Sequence, residues 1–218
     1  MSLRITISKE NYLKAIAEAE SEGEVVKAVT LVRWLGVSAP AVTMAIKRLR
    51  RDVLIAVGDE GQLTLTPAGR DIANRILNRH HLIERMLTEI FGLEWYKVHD
   101  EAEQLEHAVS SDFESKLIEK LGAARECPHG NRVGLDSPAQ RRRRGLRPLE
   151  EAKAGEQLIV ASVFERDRKL LEYLDHAGIR PGVRMEVASN GHEIRLVAGG
   201  RATQIDRAAA AKVWVRPA

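Results

Sequence analysis

Cysteine is nearly absent: Cys127 is the single one in 218 residues. One thiol excludes an intramolecular disulfide framework and suits a reducing compartment. Long apolar runs are missing too, and none approaches the ~20 residues of a membrane-spanning helix. Met1-Ser2-Leu3-Arg4 has no signal-peptide core, so the expectation is a cytoplasmic protein with no membrane partner. No nucleophile–base arrangement and no Gly-rich phosphate loop is evident, which argues against an enzyme with a small-molecule substrate. Aromatic residues are few, but 44% hydrophobic and 30% charged residues without a low-complexity tract is a globular balance. Nor is there a strong excess of one charge. A net +3 and a pI near 9.1 permit nucleic-acid binding without establishing it, so the distribution of charge matters more than its total.

The chain is long enough for two or three small domains. Lys9 to Ala19 reads as a helix with Tyr12, Leu13, Ile16 and Ala19 inward and Ser8 as N-cap. A short helix around Leu31–Leu35, a turn holding Gly36, the N-cap Ser38 and a first-turn Pro40 then introduce a second helix reaching Arg51. Val42, Ala45, Ile46 and Leu49 follow helical spacing inward, leaving Ala41, Thr43, Met44, Lys47, Arg48 and Arg51 outside. This is a helix-turn-helix layout, whose second helix lies in a DNA major groove. Ser38, Ala39, Pro40, Ala41, Thr43 and Met44 would face base edges; Lys47, Arg48 and Arg51 would lie towards phosphates. Val53–Val57 and Gln62–Leu65, joined across Gly58–Gly61, read as a hairpin and make the module a winged helix. The acidic hairpin tip adds little phosphate affinity.

Thr66-Pro67 opens a long helix running to about Phe91, with Ile72, Ile76, Leu77, Ile83, Leu87 and Ile90 as buried positions. His80 and Glu84, four apart, reach one point in space; His81 is rotated about 100° away. A helix from Glu94 to about Val109 follows, its stripe being Trp95, Val98, Ala102, Leu105 and Val109. His99, Glu103, Glu106 and His107 share a neighbouring face roughly 115° round. Taken alone, that cluster reads either as ordinary helix pairing with a solvated remainder or as ligands that a divalent cation would draw together. A third helix, Asp112–Leu121, adds more apolar surface than a small winged helix covers, and a dimer interface is expected. Gly122 to about Pro148 reads as a linker. Its Cys127-Pro128-His129 is read as a structural turn rather than a metal site, and its Arg141–Arg144 run as solvated with possible phosphate contact. From Leu149 the pattern becomes short strands (157–163, 184–187, 193–197, 212–215) around a helix at Arg168–His176, the mark of a small β-barrel.

The chain resembles the metal-dependent repressors typified by the diphtheria toxin repressor and the manganese transport regulator. The resemblance is carried by Glu10-Asn11-Tyr12-Leu13, the helix-turn-helix with Pro40, and Leu65-Thr66-Pro67-Ala68-Gly69. It continues through Arg79-His80-His81-Leu82-Ile83-Glu84-Arg85, Gly92-Leu93 and Val98-His99-Asp100-Glu101-Ala102-Glu103-Gln104-Leu105-Glu106-His107. Cys127-Pro128-His129-Gly130-Asn131 and the 178–182 segment also match, so it covers nearly the whole chain.

The resemblance implies a mainly α protein with a β C-terminal domain. Its parts are a winged helix-turn-helix (1–66), a helical dimerisation and metal-binding domain (67–140), a linker (141–148) and an SH3-like, FeoA-like barrel (149–218). It implies a homodimer that binds a double-stranded DNA operator of metal-homeostasis genes, with Mn(II) or Fe(II) as corepressor and Co, Ni or Zn substituting in vitro. Carried over by position, Glu103, Glu106, His107 and Asn11 form a primary metal site, and His80, Glu84 and His99 an ancillary one completed by Asp167. Two positions depart from the pattern. Glu103 stands where iron regulators carry Cys, as in the manganese branch, and a carboxylate suits Mn(II) better than a thiolate does. Asn11 and Lys14 stand where that branch expects acids, and a Lys14 ammonium would exclude a second clustered cation beside Glu103. Two other readings remain open at this point: a winged-helix regulator whose metal site is structural or vestigial, and a di-iron enzyme, which needs facing Glu-x-x-His motifs not found here.

Overall fold

The computed structural model describes residues 5–122, 126–132 and 136–218, which gather into two compact units. The first holds the described residues up to Arg79 with 136–138, and the second holds the rest. In the first, helix α1 (Ile7–Ser21) is capped by Thr6 rather than Ser8, its Oγ1 accepting from Lys9 N at 3.4 Å. The inward set Tyr12, Leu13, Ile16 and Ala19 is buried as the periodicity requires. The axes of α2 (Ala28–Leu35) and α3 (Ala39–Arg51) turn by 117° at the break between them, a helix-turn-helix angle. Ser38 caps α3, accepting from Ala41 N at 3.4 Å, with Pro40 in the first turn. Val42, Ala45 and Leu49 are buried and Ile46 is partly so.

Strands β1 (Ile55–Val57) and β2 (Leu63–Leu65) pair antiparallel with Ile55 opposite Leu65, giving the wing. Leu63 N donates to Val26 O at 2.8 Å and fastens the wing to the loop before α2. Helix α4 (Pro67–Arg85) starts as the Thr-Pro-Ala-Gly motif dictates: Thr66 Oγ1 accepts from Gly69 N at 3.1 Å, and Pro67 takes the first position, where no N–H is needed. Gly69 has its own reason, since a Cβ there would stand 2.0 Å from Leu54 O.

In the second unit the α ladder of α4 stops at Arg85, short of the expected Phe91. Met86–Ile90 form a π turn closed by Phe91 N donating to Met86 O at 3.3 Å. Thr88 Oγ1 donates to Glu84 O at 2.9 Å, a side-chain competitor for the backbone ladder. As a result Ile90, expected inside, is 39% exposed. Helix α5 is also shorter than its apolar stripe, spanning Val98–Leu105. Trp95 belongs to the core of the C-terminal sheet and its Nε1 donates to Asp175, so residues 95–97 turn rather than begin a helix. Past Leu105 the helical spacing lapses: Leu105 is 37% exposed while the charged Glu106 is fully buried. Helix α6 (Ser111–Leu121), capped by Ser110, closes a small core with Ile83, Met86, Leu87, Val98 and Ala102.

The expected linker is structured wherever it is described; 123–125 and 133–135 lie outside the described residues. It contains helix α7 (Pro138–Arg143) and strand β3 (Arg147–Pro148). Two arginines of its run are held: Arg141 is buried with its guanidinium 5.1 Å from the Trp214 ring centre, and the exposed Arg142 meets Glu151 Oε1 through Nη2 at 2.5 Å, while Arg143 and Arg144 are exposed. Strands β4 (Gln157–Val163), β5 (Arg184–Asn190), β6 (Glu193–Ala198), β7 (Arg201–Asp206) and β8 (Val213–Pro217) complete an antiparallel sheet in the order β3-β8-β4-β5-β6-β7. Helices α8 (Arg168–His176) and α9 (Arg207–Ala210) pack onto its core. Bulges between Val160 and Ser162 and between Val187 and Ser189 bend the sheet as a small barrel requires. Strand β7 escapes the sequence pattern because it is an edge strand whose single buried residue is Ile205.

Candidate metal centre and the exposed helix

Helix α4 turns His80 and Glu84 to one side, and both are fully buried. His80 Nε2 lies 3.1 Å from Glu84 Oε1 and 3.0 Å from His99 Nδ1 on α5. His99 Nδ1 lies 3.3 Å from the same Glu84 oxygen. Glu165, just beyond β4, joins them: ligand atoms of His80, Glu84, His99 and Glu165 all fall within 4.8 Å of one another. Two ring nitrogens and one carboxylate oxygen therefore converge on a single point. Their donor set, imidazole with carboxylate, is that of a first-row divalent cation.

A turn that sequence reading set aside completes the cluster. Glu126 and Arg132 form a bridge, Cys127 N donates to Asn131 O at 2.9 Å, and Gly130 N donates to Cys127 O at 2.9 Å. Val163 N donates to His129 O at 3.0 Å, and Asn131 Nδ2 donates to Val163 O at 3.0 Å, tying the turn to β4. Gly130 permits this approach: it has φ +79°, and a Cβ there would stand 2.0 Å from Ala161 O. Asn131 Nδ2 also donates to Glu165 Oε2 at 2.7 Å and aims that carboxylate. The outcome is Cys127 Sγ at 3.2 Å from Glu165 Oε2, and His129 Nδ1 at 3.4 Å from Glu84 Oε1 and 3.5 Å from Glu165 Oε2. His129 Nε2 lies 2.8 Å from Trp95 O; donation there turns Nδ1 towards the cluster, where it can ligate once its proton has left. Residues 127 and 129 therefore line the same buried cluster. The sequence signal was the lone Cys two residues from a His, but the partner carboxylate sits 36–38 residues further along.

Charge is concentrated here. Burial alone would raise the Glu84 carboxyl, but the His129 and His80 rings outweigh it and hold it well below the ordinary range. Glu165 is likewise held low: burial and Glu84 push it up, and the nearby His129 and His81 rings bring it down. Burial, then Glu165 and Glu84, push the Cys127 thiol well up. His129 is raised to about 10 because Glu84 and Glu165 overcome a burial effect of opposite sign. Protons on imidazole thus balance the carboxylates, and a divalent cation can replace them. Glu84 Oε2 has no hydrogen-bond partner among the described residues, so the buried carboxylate has an oxygen to spare.

The second expected group lies beside the first. His80 Nδ1 is 2.7 Å from Glu106 Oε2, His107 Nε2 is 3.4 Å from Glu106 Oε1, and His99 Nε2 is 3.7 Å from Glu103 Oε1. Arg166 Nη1 donates to Glu103 Oε1 at 3.3 Å. Asn11 stands on α1, in the other compact unit. Asp167 corrects the expected ancillary set. It is the N-cap of α8, its Oδ1 accepting from Leu170 N at 3.1 Å, and Glu165 is the carboxylate that reaches the cluster.

Helix α3 presents the other expected surface. Ser38, Ala39, Pro40, Ala41, Thr43, Met44, Lys47, Arg48 and Arg51 are all exposed, while the opposite face of the helix is core.

Family models match in the same order along the chain. Residues 4–61 match the iron-dependent repressor N-terminal DNA-binding domain, 66–133 its metal-binding and dimerisation domain, and 147–217 the FeoA domain. The diphtheria toxin repressor of Corynebacterium glutamicum is 32% identical over 206 residues, covering 90% of each chain. The chain belongs to the iron-dependent repressor family. It is a metal-dependent, DNA-binding transcriptional repressor, a member of a family of regulators rather than enzymes. Other members include the iron-dependent repressor IdeR of Mycobacterium tuberculosis, 32% identical with 82% of each chain covered. A manganese-dependent transcriptional repressor in complex with manganese superposes with a TM-score of 0.85 at 30% identity, covering 96% of this chain and 100% of that one. ScaR with bound zinc gives 0.79 at 28%, covering 96% and 99%. No single helix among the described residues is long and apolar enough to cross a membrane.

Proposed function

We propose that this repressor takes Mn(II) or Fe(II) as corepressor and, as a cytoplasmic homodimer, binds a double-stranded operator of metal-homeostasis genes. The observation that carries the reading is Glu84: fully buried, one oxygen without a hydrogen bond, and three imidazoles and a second carboxylate around it. A bound divalent cation supplies the positive charge that relieves carboxylate repulsion in this low-dielectric cluster. The protein supplies the rest. His80, Glu84, His99 and Glu165 hold the ancillary ion, with Cys127 and His129 alongside. Glu103, Glu106 and His107 are proposed for the primary site, with Asn11 as the ligand contributed by α1 on the strength of the resemblance. Domain limits of 1–66, 67–140 and 149–218 fit this division of labour. Exposed Phe91, Phe113 and Ile118 supply apolar surface for the dimer.

The mechanism is linkage. Ligands from different helices favour one arrangement of the chain, and whatever factor that arrangement adds to metal affinity it adds to operator affinity. On α3, Ser38 to Met44 would read base edges, and Lys47, Arg48 and Arg51 would contact phosphate. The test is operator binding by fluorescence anisotropy, titrated anaerobically with Mn(II), Fe(II), Co(II) and Zn(II). Activation at physiological free-metal levels is the useful comparison, because Zn(II) binds nitrogen and oxygen donors more tightly than Mn(II) whatever the protein senses. His107→Ala and Glu106→Ala are expected to remove metal activation in a folded dimer. Operator binding by these variants at wild-type strength refutes the assignment.

A further inference from the structure

His81 lies on the helix face that sequence geometry sets apart from His80 and Glu84. It is nevertheless fully buried. Neither of its ring nitrogens has a hydrogen-bond partner among the described residues, and Glu165 Oε1 stands 3.6 Å from Nε2, beyond hydrogen-bond length. A buried imidazole with both nitrogens unsatisfied costs stability unless something else meets them. Its ligand atom falls within 4.8 Å of those of Glu84, Cys127 and Glu165, all buried. This set shares two carboxylates with the His80, Glu84, His99 and Glu165 set and differs in its other two donors.

The shared carboxylates are placed to serve both sides. Glu84 Oε1 faces His80, His99 and His129, and its Oε2 is without a hydrogen bond. Glu165 Oε1 faces His81, and its Oε2 faces Cys127 and His129. His80 and His81 are consecutive on α4 and point about 100° apart, with ring centres 6.0 Å from each other. From these positions we infer that the buried cluster holds two cations bridged by Glu84 and Glu165, and that His81 is a ligand of the second. The first ion takes His80 and His99, a hard set of nitrogen and oxygen donors. The second takes His81 and Cys127, with His129 Nδ1 as a further donor, a softer set. Cys127 binds as thiolate, its proton leaving to solvent on metal uptake.

This inference rests on the metal-dependent reading above, and its test separates the two. The metal-free full-length chain is loaded with Mn(II), desalted and its metal counted. Electron paramagnetic resonance then looks for the exchange coupling expected of ions about 3.5–4 Å apart. A parallel Co(II) titration follows the near-ultraviolet thiolate-to-cobalt band. The wild type is expected to show exchange coupling. His81→Gln is expected to lose one equivalent of metal and the thiolate band; His99→Gln should lose one equivalent and keep the band. Isolated-ion spectra in the wild type overturn the pair without any variant having to fold. So does His81→Gln retaining every equivalent and the band. Metal-activated operator binding with an uncoupled wild-type spectrum sinks the pair alone, whereas a chain that retains no metal sinks the functional reading as well.

Discussion

His80 Nδ1 and Glu106 Oε2 lie 2.7 Å apart in a fully buried contact. The ring that presents Nε2 to Glu84 and His99 is therefore oriented by a carboxylate assigned to the neighbouring group. Donation from Nδ1 fixes the tautomer that leaves Nε2 free to ligate. The two candidate sites are consequently joined through one side chain. Glu106→Gln keeps the shape and removes the charge. It is expected to weaken metal binding at both groups by about 10–100-fold, the usual effect of losing such a partner. Competition with a metal-chelating dye measures this, and an unaltered affinity at the His80 group contradicts the coupling.

His129 links the cluster to pH. Its folded pKa of about 10 stands above the ordinary 6.5, so its contribution to the metal-free fold is complete below pH 6.5 and fades as pH rises through about 10. Glu84 and Glu165 act in the opposite sense: held low, they contribute above the ordinary carboxylate range and lose that contribution as pH falls through their depressed values. Thermal melting of the metal-free chain is expected to show a midpoint that falls between pH 7 and 10. His129→Gln should fall less over the same range. Metal affinity runs the other way and rises with pH, because the same proton must leave.

Gly130 carries a steric prediction. With φ +79° and backbone oxygen 2.0 Å from where a Cβ would go, Gly130→Ala has no cheap relaxation. The expected cost is ~2 kcal/mol or more, read by chemical denaturation, with a loss of cluster metal because Cys127 and His129 flank the turn. A variant of wild-type stability and metal content would show that the turn does not need its contact with β4.

Val53 is the non-glycine residue with positive φ among those described, at +57°, and its side chain is 69% exposed. A β-branched residue is strained there, and few contacts compensate. Val53→Asn is expected to stabilise the N-terminal unit by about 1 kcal/mol, since Asn tolerates this region. Denaturant titration checks it; a lower midpoint would mean that the valine makes contacts worth more than the strain.

The winged helix was legible because its signals are local. Ser38 caps, Pro40 starts, apolar spacing turns α3 inward, and the hairpin needs only alternation and a Gly-bearing tip. Strand β4 and helix α8 also fall where the pattern puts them, each bounded by turn residues. The family resemblance likewise singled out His80, Glu84 and His99, and their side chains do come together. Tertiary structure decided what depends on distant partners. Whether Asp167 or Glu165 meets α4 turned on which one the end of α8 claims as a cap. Cys127 and His129 reach the buried cluster because Gly130 and Asn131 dock their turn on β4, some 30 residues away. Helix α5 ended where it did because Trp95 was drawn into another core and Glu106 into the cluster. His81 shows the division most sharply: its angle around α4 is set by sequence, but what waits at that angle is set by the turn at 126–132 and by Glu165. Periodicity fixes direction along one element. Burial, close backbone approach and shared carboxylates are properties of several elements meeting, and no single stretch of chain encodes them.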